Sequence, residues 1–388
     1  MQNRVVDKYI SIIQTEDNPA ATRGFSLALG HLPAKLLAPS RSVLDLVLNC
    51  LCGASRKESL IGGESDAETR RNAIISLVKV CTEVGIGKPV RETVTFPVYR
   101  LTRNQTGKVF RVLLAAMEDY NTDRRGDVGS WSRIAAMDGL ETLTYLSIRA
   151  SDTFPHSFCQ TPASLVPLDI VIAPSFNKRM CTLTAEKSTN FQIDYDEDHN
   201  FFDDELCCLL LSTLLKQLGE KLDVVRCKAG ECLERLLINS SPRLPFVPHR
   251  ERLVRALSLR EQSTNWADPA ITFPLVMRVV NIDEFIEPIL SGIVISVGGL
   301  TESVSKSSSA ALFEWIRELR SVKSTQKMFR MGEGEINIGV LVVVYEFYSC
   351  HFSSSSISRI VPEIQAKYAG SDSASLYLGQ TAFPWVSR

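Results

Sequence analysis

The chain has 388 residues, of which 45% are hydrophobic and 22% charged, with a net charge of −1. That length exceeds what one core usually holds and suits two domains or a repeat array. The near-neutral balance sets up no global field for nucleic acid or an anionic membrane surface, and no uninterrupted apolar stretch approaches the roughly 20 residues of a membrane span. Ten cysteines follow an N-terminal stretch, Met1 to Asp17, whose Arg4, Asp7, Lys8, Glu16 and Asp17 make it no signal peptide. Reduced thiols in a cytosolic protein are the expectation.

In chain order, the first helical signal is Asp17 to Arg23, with Pro19 suited to a first turn. Phe25, Leu27, Ala28, Leu29 and Leu32 continue it, and Pro33 and Pro39 close it. Val43, Leu44, Val47, Leu48 and Leu51 fall at helical spacing within Val43 to Cys52. Ser65–Asp66 caps the next helix, which places Arg70–Arg71 before Ala73 and aligns Ile74, Leu77, Val78, Cys81 and Val84 on one face. Gly85 and Gly87 end it. Pro89 to Lys108 reads as a polar, Thr-rich insertion, and Val109 to Met117 as a helix.

The stretch Tyr120 to Met137 is the most patterned. Its first half is turn-prone, with Gly126 suiting a sharp bend and Asp127 placed to cap the helix that follows. Arg133 comes six residues after Asp127, with Ala135 and Ala136 next. That is the pattern of the second helix of a HEAT-type repeat, where small residues let helices approach and the Asp and Arg bridge adjacent repeats. Trp131 is read as core. Arg23 and Arg71 are 48 residues apart, Arg71 and Arg133 62, and Arg133 and Arg226 93. Allowing for the insertion and a doubled interval, the period is roughly 40–47 residues, each unit an antiparallel helix pair.

Asp152 to Arg179 holds four prolines, so helices there are short or begin at them. Leu206 to Leu218 and Val225 to Leu237 make the next pair, separated by Gly219. Pro242 to Pro248 is an extended connector, His249 to Leu257 an Arg-rich helix, and Asn265–Trp266 part of a loop. Ile286 to Val297 and Thr301 to Leu319 are helices. Ile338 to Tyr348 reads as a strand or one buried helix, and Gly370 to Arg388 as loose. The expected fold is all-α, an α-solenoid of degenerate HEAT/armadillo-type repeats with an irregular tail. The expected domains are 1–150 (HEAT-like repeats), 151–330 (C-terminal helical domain) and 331–388 (divergent, partly disordered tail).

No catalytic set emerges. His31, His156, His199, His249 and His351 are scattered, and satisfied structural histidines are the better reading. The pairs Cys50/Cys52, Cys207/Cys208 and Cys227/Cys232 lack zinc spacing. Gly126-x-x-Gly129 is too short for a phosphate loop. Asp194, Asp196, Asp198 and Glu205 stand at EF-hand positions 1, 3, 5 and 12, but His199 occupies the position that needs Gly. An acidic inter-repeat loop, with Asp203 and Asp204 at a helix N-terminus, is the simpler reading. No cofactor and no metal are expected.

Tyr120-Asn-Thr-Asp-Arg-Arg-Gly-Asp-Val-Gly-Ser-Trp131 resembles a stretch of the tubulin-folding cofactor D family. Three further segments match in order: Arg23-Gly-Phe-Ser-Leu-Ala-Leu-Gly30, Pro245-Phe-Val-Pro-His-Arg250 with Asn265–Trp266, and Ser296-Val-Gly-Gly-Leu-Thr-Glu-Ser303. The resemblance covers roughly residues 1 to 320 and the C-terminal part of the family, without its N-terminal HEAT array. The tail after about Met331 departs from the family's helical ending. The resemblance implies a non-enzymatic chaperone that captures β-tubulin and works with tubulin cofactors E and C on the αβ heterodimer. It also implies binding of an Arf-like small GTPase and promotion of GTP hydrolysis by tubulin, in the cytoplasm at the microtubule cytoskeleton. Tubulin is acidic, so Arg124 and Arg125 are candidate contacts, with Asp127 and Arg250 beside them in the matching motifs. A generic HEAT adaptor for another cytosolic or centrosomal partner and a calcium-regulated binding protein are the competing readings.

Overall fold

A computed structural model describes residues 3–15, 18–56, 66–87, 98–152, 201–260, 264–297 and 301–321. Most of the proline-rich segment, most of the acidic loop and the tail lie outside these residues. All described residues belong to one contact unit spanning 1–323.

The elements are helices α1 (Asn3–Thr15), α2 (Pro19–Leu29), α3 (Ala34–Leu37), α4 (Arg41–Ala54), α5 (Ala67–Val84) and α6 (Arg103–Ala116). A two-residue hairpin follows, β1 (Thr122–Asp123) against β2 (Gly126–Asp127). After it come α7 (Gly129–Asp152), α8 (Asp204–Leu218), α9 (Asp223–Ile238), α10 (Arg250–Ala256), α11 (Pro269–Val279), α12 (Ile286–Val297) and α13 (Glu302–Ser321). Caps explain several starts. Asn18, Ser40, Asp66, Asp203 and Asp268 each accept a hydrogen bond from a free backbone N–H of the following first turn. Thr102 and Gln105 form a reciprocal capping box for α6.

The helices pair as α1–α2, α4–α5, α6–α7 and α8–α9, and the second members stack, α2 on α5, α5 on α7 and α7 on α9. This is the α-solenoid of HEAT-like helical repeats that the spacing of arginines predicts. Each stacked helix carries one of them: Arg23, Arg70, Arg133 and Arg226. Beyond α9, α12 packs on α8, and α13 packs on both α11 and α12.

Small residues set how closely the helices approach. A Cβ on Gly139 would come 2.6 Å from Val78 of α5, and one on Gly292 of α12 would lie 2.2 Å from the Lys216 carbonyl oxygen of α8. Gly230 of α9 lies under the buried indole of Trp266, where a Cβ would sit 2.2 Å from the ring. Packing of this density leaves no room for a methyl group.

Several expectations need correction. The repeat arginine of α5 is Arg70, which is buried, and not its half-buried neighbour Arg71. A one-residue error in register turns a helical position by about 100°, enough to exchange face for flank. Helix α2 ends at Gly30 rather than at Pro33, and a short α3 occupies the space between the two prolines. Helix α6 begins inside the segment read as a polar insertion, because its first turn is polar and only its capping box marks it. Helices α1 and α11 were not anticipated. In α1 the buried residues are Val6, Ile10 and Ile13, a spacing of four and three. In α11, Pro274 stands inside the helix.

Candidate interaction site

The hairpin motif between α6 and α7 is where three repeats meet. Asp119, just before it, accepts from Arg70 Nε of α5 at 2.9 Å, an ion pair whose side chains are 2% and 8% exposed. Asp127, at the end of β2, accepts from the Ser130 N–H at 3.0 Å and so caps α7. Its other oxygen is 3.0 Å from Arg133 Nη2, with exposures of 7% and 0%. Arg133 also donates to the Asp119 carbonyl oxygen at 2.6 Å. The Asp127–Arg133 pair therefore lies within one repeat, while Arg70–Asp119 crosses between repeats.

Tyr120 ties the motif to the following repeat. Its ring lies between the Arg133 guanidinium, 4.3 Å from the centroid, and Lys216 Nζ of α8, 5.9 Å away. Gln217 of α8 donates to the Tyr120 hydroxyl at 3.2 Å and to the Met117 carbonyl at 3.1 Å. Burial, then Glu220 and Glu118, pushes the Tyr120 hydroxyl up to about 12, so it stays neutral. Gly129 makes the compact corner possible, since a Cβ there would lie 2.1 Å from the Asp119 carbonyl oxygen.

The other repeat arginines find different partners. Arg23 bonds Asp66, the cap of α5, at 2.7 Å, and Glu68 at 3.0 Å. The spacing of Asp17 to Arg23 predicts a different pair, but Asp17 lies outside the described residues. Arg226 reaches no carboxylate in this way. It donates to the carbonyls of Glu220, Lys221 and Ala267 at 2.9, 2.8 and 2.5 Å.

The four residues proposed from sequence as contacts separate cleanly. Arg124 is exposed in the hairpin turn, and no carboxylate pairs with it among the described residues. Arg125 is exposed but held. It binds Asp123 at 2.7 Å and Glu68 at 3.2 Å, and its guanidinium lies 4.9 Å from the Trp131 ring centroid. The hydrogen bond with Asp123 raises the Arg125 pKa above the usual range. Asp127 is spent on Arg133 and the α7 cap. Arg250 donates to the Leu237 carbonyl at 2.7 Å and to that of Leu244, fastening the extended connector. Burial, then the charge of Arg243, pulls the Arg250 pKa down.

Trp131 is not core. It is half-buried and forms part of a surface groove of about 440 Å³ between α5 and α7, lined also by Arg71, Ile75, Val78, Lys79 and Ile134. Arg71 lies 5.8 Å from the Trp131 centroid. Reading Trp131 as core followed from its size and helical phase; the hairpin's two arginines were the signal that the ring has a wet side.

Other clusters are structural. Asp138, Glu141 and Cys232 converge, but Lys228 pairs with Asp138 and Arg235 clasps Glu141 at 2.7 and 2.8 Å. Burial pushes the thiols of Cys50, Cys207 and Cys232 up to about 12, which suits small apolar core residues. His31 has Nδ1 2.8 Å from the Leu27 carbonyl, and His249 lies 3.3 Å from Glu284. Asp203 caps α8 by accepting from Leu206 N–H at 2.9 Å. Among the described residues, no helix is long and apolar enough to cross a membrane.

The arginine ladder and the stacked helix pairs define an all-α protein of the helical-repeat class. Residues 209–336 match the family described as "Tubulin folding cofactor D C terminal". A curated protein named Tubulin-specific chaperone D, from Dictyostelium discoideum, is 25% identical over 307 residues, 77% of this chain and 18% of that protein. The chain thus spans less than a fifth of that relative's length. A crystal structure of an engineered protein covers 81% of this chain and 98% of its own, at 12% identity and a TM-score of 0.34, too low to bear on the fold. The resemblance of this sequence to the C-terminal region of tubulin folding cofactor D is borne out by the first two matches.

Proposed function

We propose that this chain is a tubulin-folding chaperone module that binds β-tubulin and helps assemble or disassemble the αβ-tubulin heterodimer. In this reading it acts with tubulin cofactors E and C and an Arf-like small GTPase. It promotes GTP hydrolysis by tubulin without catalysing it, in the cytoplasm at the microtubule cytoskeleton. The observation that carries the reading is the match of residues 209–336 to the cofactor D C-terminal family, together with a relative named for tubulin. The physical argument agrees with it. A stack of helix pairs held by buried ion pairs offers a broad, rigid surface for holding a partner, and the exposed hairpin presents Arg124 and Arg125 to it. We assign the contact to these two arginines because both are exposed, although Arg125 also pairs with Asp123 and Glu68, whereas Asp127 and Arg250 are taken up by internal bonds.

The test is size-exclusion chromatography of the purified chain mixed with αβ-tubulin. Co-elution, weakened by Arg124→Glu/Arg125→Glu with helical circular dichroism intact, is the expected result. A folded chain that elutes apart from tubulin would favour the second reading, a generic HEAT-repeat adaptor for another cytosolic or centrosomal partner. The ladder itself is compatible with that reading, because it builds a surface without specifying who binds it.

A further inference from the structure

The groove beside Trp131 has a chemistry of its own. Its exposed floor is apolar: Ile75 and Val78 of α5, Trp131 and Ile134 of α7, all half-buried. Its rim is cationic. Arg71 and Lys79 stand on the α5 side, Asp138 lines the α7 side, and Arg125 lies 4.9 Å from the Trp131 ring centroid. The nearby carboxylates are already taken. Asp123 and Glu68 hold Arg125, Glu68 also holds Arg23, and Asp138 holds Lys228. Among the described residues no carboxylate pairs with Arg71, Lys79 or Arg124. Among the described residues Arg71 bonds the side chain of Asn72 and lies over the Trp131 ring, and Lys79 meets His31.

We propose that this groove binds a short acidic peptide segment of a partner protein, anchored by one bulky apolar side chain against Ile75, Val78 and Trp131. An apolar anchor removes the half-exposed floor from water, and flanking carboxylates meet Arg71 and Lys79, the two lining cations that no carboxylate pairs with among the described residues. The proposal deepens the chaperone reading by naming what part of a partner the surface takes; it rests on that reading only for the partner's identity.

The probe is a fluorescein-labelled peptide of glutamates around one central phenylalanine, followed by fluorescence anisotropy with the full chain. Saturable binding that weakens with added salt is expected. Arg71→Glu/Lys79→Glu should weaken it by about ten-fold or more, and a peptide with alanine at its centre should bind more weakly than the parent. Arg71 is half-buried, so Lys79→Glu alone, at an exposed position, repeats the test where the double variant melts early. No saturable binding, or equal binding of a lysine version of the peptide, would overturn the proposal. Tubulin co-elution on the same preparations separates the two claims. Tubulin co-elution without saturable peptide binding overturns the groove proposal and leaves the chaperone reading standing. Peptide binding without tubulin co-elution supports the groove and overturns the tubulin reading.

Discussion

Arg70 and Asp119 form an ion pair across a repeat boundary, with Nε 2.9 Å from Oδ2 and both side chains almost wholly buried. A buried pair contributes little net stability, because desolvation cancels much of the attraction, but breaking it leaves a charge stranded. Asp119→Ala should therefore destabilise the chain by about 3–5 kcal/mol. The double variant Arg70→Met/Asp119→Leu should recover much of that loss. Urea denaturation of the three proteins checks it. Equal stabilities for the single and double variants would contradict the pairing.

The Arg23–Asp66 pair makes a prediction about acid. Burial raises the Asp66 pKa, but hydrogen bonds from Arg23 and Thr69 outweigh it, and the pKa falls below the ordinary 3.8. The folded state therefore binds fewer protons than the unfolded state as pH drops past that value. Its contribution is fully present above 3.8 and is lost as pH falls through the lower folded-state value. Asp66→Asn should lower stability at pH 6, and the gap between wild type and variant should narrow below about pH 4. Denaturation midpoints across that range measure it.

Gly230 and Trp266 touch where a Cβ would sit 2.2 Å from the indole. Gly230→Ala should cost about 1–3 kcal/mol by overpacking, despite the better helix propensity of alanine. A thermal melt that is unchanged or raised would mean that Trp266 has room to move.

Thiol labelling reports on the core. The pKa values of Cys50, Cys207 and Cys232 stand near 12, raised chiefly by burial. At pH 8 their native-state labelling should be about a hundredfold or more slower than in urea. Mass spectrometry of time points assigns the rates residue by residue.

The repeat architecture is legible in the sequence because arginines recur at roughly one or two repeat lengths, and because caps such as Asp66 and Asp203 mark helix starts. Which arginine is buried is not legible between two adjacent candidates, since Arg70 and Arg71 differ only by a helical turn angle that tertiary packing decides. Nor are the partners. Arg23 finds Asp66 on the next repeat, Arg133 finds Asp127 on its own, and Arg226 takes backbone carbonyls. The hairpin motif stands out in the sequence, but its division of labour needs coordinates. Asp119, Tyr120, Asp127 and Arg133 hold three repeats together, while Arg124 and Arg125 are exposed and Trp131 is half-buried.

The hairpin arginines are proposed to meet tubulin. The most direct test is the affinity of the intact chain for immobilised αβ-tubulin, compared with that of Arg124→Glu/Arg125→Glu at two salt concentrations. Binding should fall with salt and be at least about ten-fold weaker in the variant, with melting unchanged. Equal binding by wild type and a folded variant would contradict it.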